Sequence, residues 1–165
     1  MTRIVVCDTG PLLHLGEANA LHLLQLAGEI LIPEVVAREF QENAAGQILP
    51  DWVQILELQE VYEEKAIGWN RYIDQGEAAA LALSVQVHAD WLLTDDAKAR
   101  QFAEQILELE VHGSIGFLLW AVAAGHIADQ KMALELLGSL ANSSLWVSER
   151  VLQNARTAIE KLFSA

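Results

Sequence analysis

Arg3-Ile4-Val5-Val6-Cys7-Asp8-Thr9-Gly10-Pro11-Leu12 is the stretch on which the fold turns. Arg3 to Cys7 is a short run rich in β-branched residues and reads as a strand. Gly10-Pro11 turns the chain into a helical pattern, proline being suited to the first helical turn. The arrangement returns at Ile30-Leu31-Ile32, where Pro33 opens a helix carrying Val35, Val36, Arg38, Glu39 and Phe40. Residues 52–58 alternate Val53 and Ile55 with Gln54 and Glu57, the pattern of a peripheral strand. From Gly76, the run Glu77-Ala78-Ala79-Ala80-Leu81-Ala82-Leu83-Ser84 consists largely of strong helix formers and continues to about residue 88. Trp91-Leu92-Leu93-Thr94 reads as a buried strand, 96–105 as a helix and 107–111 as a further strand. After Gly113 apolar residues fall at helical spacing in 115–124, 132–140 and 151–162, with breaks at Gly125 and Asn142-Ser143-Ser144.

Short strands alternating with helices predict an α/β fold, a parallel sheet covered by helices on both faces with right-handed crossovers. With 165 residues, 53% of them apolar, three prolines and no repeat or low-complexity tract, the expectation is one domain over 1–165. Its core is placed at about 3–125 and its C-terminal helices at about 129–163. The longest apolar stretch, 115–124, is about half a bilayer span and reads as a buried helix. The apolar run at the N-terminus closes at Asp8, short of a signal peptide, so a cytoplasmic protein with no membrane association is expected. Cys7, the one cysteine, can form neither an internal disulfide nor a thiolate metal site and is assigned to the core.

The carboxylates carry the chemistry. In parallel sheets ligands bind beyond the carboxyl ends of the strands, at the edge where the following helices begin. Asp8 directly follows the first strand and Asp95-Asp96 directly follow Trp91-Leu92-Leu93-Thr94, so parallel neighbouring strands would bring them together. Glu77 falls in the first turn of its helix and Glu39 in the second turn of the helix opened by Pro33, both near that edge. Like charges a few ångströms apart are costly unless a cation or proton compensates them, and an all-carboxylate cluster suits a hard, oxygen-loving ion, Mg²⁺ or Mn²⁺. Zinc is disfavoured, because the five histidines lack short ligand spacings and there is no second cysteine. On this reading the histidines are incidental.

Each acid also has a structural explanation. Asp8 suits a cap or turn, Glu77 a helix start, and either of Asp95 and Asp96 the cap of the next helix while the other binds the ion, with Asp96 preferred. Glu39 borders the apolar stripe of its helix, which ordinary solvated acids such as Glu34 and Glu42 do not.

These residues resemble the PIN-domain family. Asp8-Thr9-Gly10-Pro11-Leu12 is similar to its opening motif, a strand-end Asp followed by Ser or Thr and a small residue. Glu39 within Val35-Val36-Ala37-Arg38-Glu39-Phe40 resembles its second acidic position, and Gly76-Glu77-Ala78-Ala79-Ala80-Leu81-Ala82 its third, with Glu where many members have Asp. Leu93-Thr94-Asp95-Asp96 resembles the fourth, in a register that favours Asp96. Gly113-Ser114-Ile115-Gly116, with a helix ending at Gly125-His126-Ile127, is further similar to a poorly characterised prokaryotic subfamily related to the toxins of toxin–antitoxin pairs. The resemblance implies a compact three-layer α/β/α sandwich and metal-dependent cleavage of RNA, or of single-stranded DNA. Asp8, Glu39, Glu77 and Asp96 would be the catalytic acids and hold the ions directly or through water. It also implies an antitoxin-like protein partner.

Supporting roles fall to Thr9 and Ser114, whose hydroxyls suit a hydrogen bond to a metal water or phosphate but also suit turns and caps. Lys98 and Arg100, in the first turns after the Asp pair, are the candidates for phosphate contact, against solvated helix charges. Trp91 and Trp120 lie in apolar runs and belong to the core, leaving Trp52, Trp69 and Trp146 unassigned. A helix-rich apolar chain can keep a stripe free once its core is filled, so a homodimer is expected.

Charge argues the other way. A net charge of −13, from 23 acidic and 10 basic residues, opposes binding of a polyanion through bulk electrostatics. This keeps a catalytically inactive PIN-type nucleic-acid or protein-binding module as the alternative. A haloacid-dehalogenase-like phosphohydrolase needs a second Asp where Gly10 stands, and a receiver domain needs an acidic pair ahead of its phosphorylated Asp and a late-strand Lys, which the sequence does not supply.

Overall fold

The computed structural model describes residues 1–164. Five strands form one parallel sheet in the order β3-β2-β1-β4-β5: β1 (Ile4–Cys7), β2 (Glu29–Pro33), β3 (Val53–Leu56), β4 (Trp91–Leu93) and β5 (Glu110–His112). The helices are α1 (Thr9–Glu17), α2 (Glu34–Asn43), α3 (Glu60–Trp69), α4 (Gln75–Gln86), α5 (Ala97–Ile106), α6 (Ser114–Ala123), α7 (Gln130–Ala141) and α8 (Glu149–Ser164).

Alternation along β1 divides the core. Val5 and Cys7 face a layer built from α1, α2, α6, α7 and α8, in which Phe40, Phe117, Leu137 and Ile159 are fully buried. Val6 faces the opposite layer, where it meets Leu31, Leu92 and the apolar side of α4 with Ala66 of α3 and Ala99 and Ala103 of α5. The result is the expected three-layer α/β/α sandwich, in which the central strands β1, β2 and β4 are buried and the edge strands β3 and β5 are partly open to solvent. Cys7 is buried, as expected for a core residue, and burial followed by the charges of Asp8 and Asp95 pushes its thiol pKa up. No helix among the described residues is long and apolar enough to cross a membrane.

All five expected strands form, and residues 52–58 prove peripheral, since β3 is an edge strand. Three segments depart from expectation, the first a short 3-10 helix at Leu21–Leu26 where the sequence pattern predicts no element. The last strand, expected over 107–111, begins only at Glu110, because Leu107 still donates its N–H to the Ala103 carbonyl at the end of α5. The sequence reading assigned nothing to 59–75, where α3 forms; only Ala66 of that helix is buried, so no apolar stripe announces it.

The sheet order fixes the site. Strands β2 and β3 are added outward from β1 on one side, and the chain then crosses to β4 on the other, so β1 and β4 border the point where the order reverses. Cys7 pairs with Leu93 across it, and Asp8 N–H continues the ladder to the Leu93 carbonyl at 2.9 Å. Ligands of such sheets sit in the crevice that opens there.

Candidate functional site

A cleft of about 820 Å³ opens at this edge. Asp8, Glu39, Glu77, Asp95 and Asp96 all line it, and so do Thr9 and Arg100. Lys98 is exposed and does not line the cleft, so of the two candidate phosphate contacts only Arg100 is in place.

Asp8 is the most enclosed of the acids, 6% exposed. It caps α1, with Oδ1 accepting from Thr9 N–H at 2.8 Å and Oδ2 accepting from the Thr94 hydroxyl at 3.0 Å. Burial pushes its pKa up to about 7; the Thr9 bond works against this, and the charges of Asp74 and Glu77 reinforce it. Glu39 reaches across from α2 to accept from the Thr9 hydroxyl at 3.3 Å. Its pKa is raised, first by burial and then by Asp74. Gly76 makes room for it: a Cβ at that position would run into the Glu39 carboxylate.

Glu77 stands in a reciprocal cap at the start of α4. Its N–H donates to Asp74 Oδ1 at 2.8 Å, and its own Oε1 accepts from Asp74 N–H at 3.0 Å. Burial pushes its pKa up to about 7 despite the Asp74 N–H bond, with the charges of Asp74, Asp96 and Glu39 adding to the rise. Asp74 itself lines the cleft and was missed in the sequence. Its signal was present, because Asp74-Gln75-Gly76-Glu77 has the spacing of a capping box.

The Asp95-Asp96 pair divides its work. Asp96 caps α5, accepting from Ala99 N–H at 2.9 Å, and remains exposed at the cleft. Asp95 turns toward β5 and α6: it accepts from Ser114 N–H at 2.5 Å, from the Ser114 hydroxyl at 2.6 Å, and pairs with His14 Nδ1 at 2.6 Å. Ser114 is therefore engaged with a carboxylate rather than free for a ligand. The reading of every histidine as incidental needs correction, since His14 also lines the cleft. Arg100 donates to the Thr94 carbonyl at 3.1 Å, and Gly113 leaves space for both its guanidinium and Asp95.

A family model described as DUF3368, PIN domain, matches residues 4–161. The chain belongs to the PIN-domain family. No curated protein matches it. The PIN domain is a nuclease-type fold, and members of the family typically use divalent metals and bind nucleic acid. In this PIN domain the donors facing the cleft from Asp8, Glu39, Glu77 and Asp96 are all carboxylate oxygens, which suit a hard cation. Three of these four acids hold their protons above the ordinary range, first because they are withdrawn from water and then because neighbouring acids repel their charge. The donor chemistry thus fits a divalent ion, although among the described residues no three His, Cys, Asp or Glu side chains are gathered closely enough to hold one as they stand.

Proposed function

We propose that this PIN domain is a Mg²⁺- or Mn²⁺-dependent endoribonuclease, with Asp8, Glu39, Glu77 and Asp96 holding the ions directly or through water. The observation that carries the reading is the meeting of acids from four separate stretches of chain in one cleft, at the point where the strand order reverses. When bound, the cation supplies Lewis acidity, activating water and offsetting charge on the departing oxygen. The residues of the chain do the rest. Thr9 ties Asp8 to Glu39, its N–H to one and its hydroxyl to the other. Thr94 orients the second Asp8 oxygen, and the Asp74 cap holds Glu77 at the head of α4. Arg100, fixed by the Thr94 carbonyl, lies on the cleft wall as a phosphate contact.

RNA as the substrate, with single-stranded DNA as the alternative, rests on the family resemblance, as do the toxin role and an antitoxin-like partner. The homodimer and the cytoplasmic, single-domain character rest on composition and on the absence of a linker.

Mn²⁺ titration of wild type and Asp8→Asn, paired with cleavage of a mixed RNA pool with and without chelator, tests the reading. Wild type should bind Mn²⁺ and cut RNA only without chelator, and Asp8→Asn should do neither. Equal Mn²⁺ affinity in the two proteins removes Asp8 from the site. Normal Mn²⁺ binding with no cleavage of RNA or single-stranded DNA overturns the nuclease and leaves a binding module, which the net charge of −13 favours.

A further inference from the structure

Trp146 is 85% exposed, whereas the other tryptophans are buried or half-buried. It sits in the connection between α7 and α8, and with Leu145, Val147 and Val151 it forms one rim of the carboxylate cleft. An indole left in water forgoes its apolar burial, so its exposure on the rim of this cleft calls for an explanation.

The connection that carries it is firmly tethered. Ser144 donates from its N–H to Glu17 Oε2 at 3.1 Å and from its hydroxyl to Glu17 Oε1 at 2.5 Å, fastening the loop to the end of α1. The Ser143 hydroxyl donates to the Leu140 carbonyl at 2.5 Å and accepts from Leu145 N–H at 3.2 Å. Ser148 accepts from Val151 N–H at 3.2 Å and starts α8. On either side, α7 and α8 are anchored by the buried Leu137, Leu140, Ala155 and Ile159. The indole is thus presented on a prearranged support, which reduces the ordering cost of binding.

Its surroundings select the ligand. Carboxylates dominate the cleft, and His14 and His112 are hydrogen-bonded to Asp95 and Glu110, which leaves Arg100 and the cations proposed for the acids to meet phosphate. A ligand combining phosphates with flat aromatic faces fits a cleft that offers cations and an indole. We infer that Trp146 is a stacking platform for an unpaired nucleobase of a single-stranded RNA whose backbone runs into the carboxylate cleft. The inference rests on the nucleic-acid reading of this cleft and adds to it that the strand must be unpaired, because a base stacked in a duplex has no free face. Base–aromatic stacking carries about 1–3 kcal/mol per base, roughly a 5- to 150-fold change in affinity.

The experiment measures binding, apart from cleavage. Wild-type protein, full length and in Mg²⁺, is titrated into a labelled, cleavage-resistant 2′-O-methyl RNA oligonucleotide, unpaired and as the same sequence in a duplex, followed by anisotropy and by tryptophan emission. The single strand should bind at least about tenfold more tightly than the duplex and quench the red-shifted emission of the exposed indole. Trp146→Ala should weaken single-strand binding about tenfold, Trp146→Phe should retain most of it, and neither should shift the melting temperature by more than a degree or two. An unchanged affinity in Trp146→Ala overturns the proposal, as does failure of the single strand to bind. A fall in sedimented mass of Trp146→Ala with RNA affinity intact also overturns it and assigns the rim to a protein contact. Trp146-dependent binding without cleavage by wild type refutes the nuclease and leaves the platform; cleavage with a KM indifferent to Trp146→Ala does the reverse.

Discussion

Asp8 and Asp95 occupy nearly the same place in neighbouring strands, one residue beyond the end of β1 and two beyond the end of β4, yet their surroundings are opposite. Asp95 is met by three donors, two from Ser114 and one from His14. Asp8 has two, from Thr9 and Thr94, and looks out onto Asp74 and Glu77, with a pKa raised to about 7. Asp95, with its three donors, fastens α1, β4 and α6 together, whereas Asp8, more buried and with fewer donors, is left holding its proton well above the ordinary carboxylate range. An acid's place after a strand therefore does not fix its role, and the donors reaching it from elsewhere in the chain do.

The contrast is most sharply tested by neutralising each aspartate in turn. Asp8→Asn should lower RNA cleavage by more than about a hundredfold in kcat/KM while leaving the metal-free protein as stable as wild type or more so at pH 8. Asp95→Asn should do the opposite. Weakening charged hydrogen bonds to Ser114 and His14 is expected to cost about 2 kcal/mol, lowering Tm by about 6 °C, with Mn²⁺ affinity within about threefold of wild type. Calorimetric melting and Mn²⁺ titration of both variants decide it, and an Asp95→Asn protein that melts normally but cannot bind Mn²⁺ reverses the assignment.

Gly76→Ala tests the acidic side from a neighbouring position. Its Cβ needs the space now taken by the Glu39 carboxylate, so Mn²⁺ affinity should drop about tenfold with a smaller effect on Tm. Unchanged affinity would remove Glu39 from the cation site.

A gentler probe is pH. Asp8 and Glu77 both hold protons up to about pH 7 in the folded chain, against ordinary values of 3.8 and 4.5. The folded state then binds more protons than the unfolded state between about pH 4 and pH 7, so stability falls as pH rises through that window and levels off above it. Metal-free wild type should melt at a lower temperature at pH 8 than at pH 5, and Asp8→Asn should show a shallower decline. Cation binding must displace the same protons, so Mn²⁺ affinity should climb between pH 6 and pH 8 in wild type. A slope identical in the two proteins would mean that Asp8 titrates normally.

The sequence revealed the acids because parallel topology converts a local signal, an acid after a buried strand, into a shared location. It also placed β1, β2 and β4, whose apolar runs stand out against their flanks, and β3 through its alternation, while β5, with the sequence Glu110-Val111-His112, was located only to within three residues. It could not reveal how Asp95 and His14 meet, since they lie 81 residues apart and no local pattern couples them. Nor could apolar periodicity locate α3, with only Ala66 buried, although the capping signature at Asp74 was readable and marks the start of the following helix. Asp96, which the sequence motif favours, is the member of its pair left exposed at the cleft.

The parallel sheet has one more consequence. Because successive strands point the same way, α1, α4, α5 and α6 all begin beside the cleft, and each directs the positive end of its peptide dipoles there, equivalent to about half an elementary charge apiece. Aspartates take up these ends: Asp8, Asp74 and Asp96 cap the first three, and Asp95 receives the first N–H of the fourth. Glu77 also accepts a backbone N–H, from Asp74. Among the four proposed ligands, Glu39 alone is recorded with only a hydroxyl for company. Chain direction thus tempers the repulsion that composition imposes, and among the four proposed ligands it leaves the glutamate from α2 without a backbone N–H, with the charge of Arg38 to offset it.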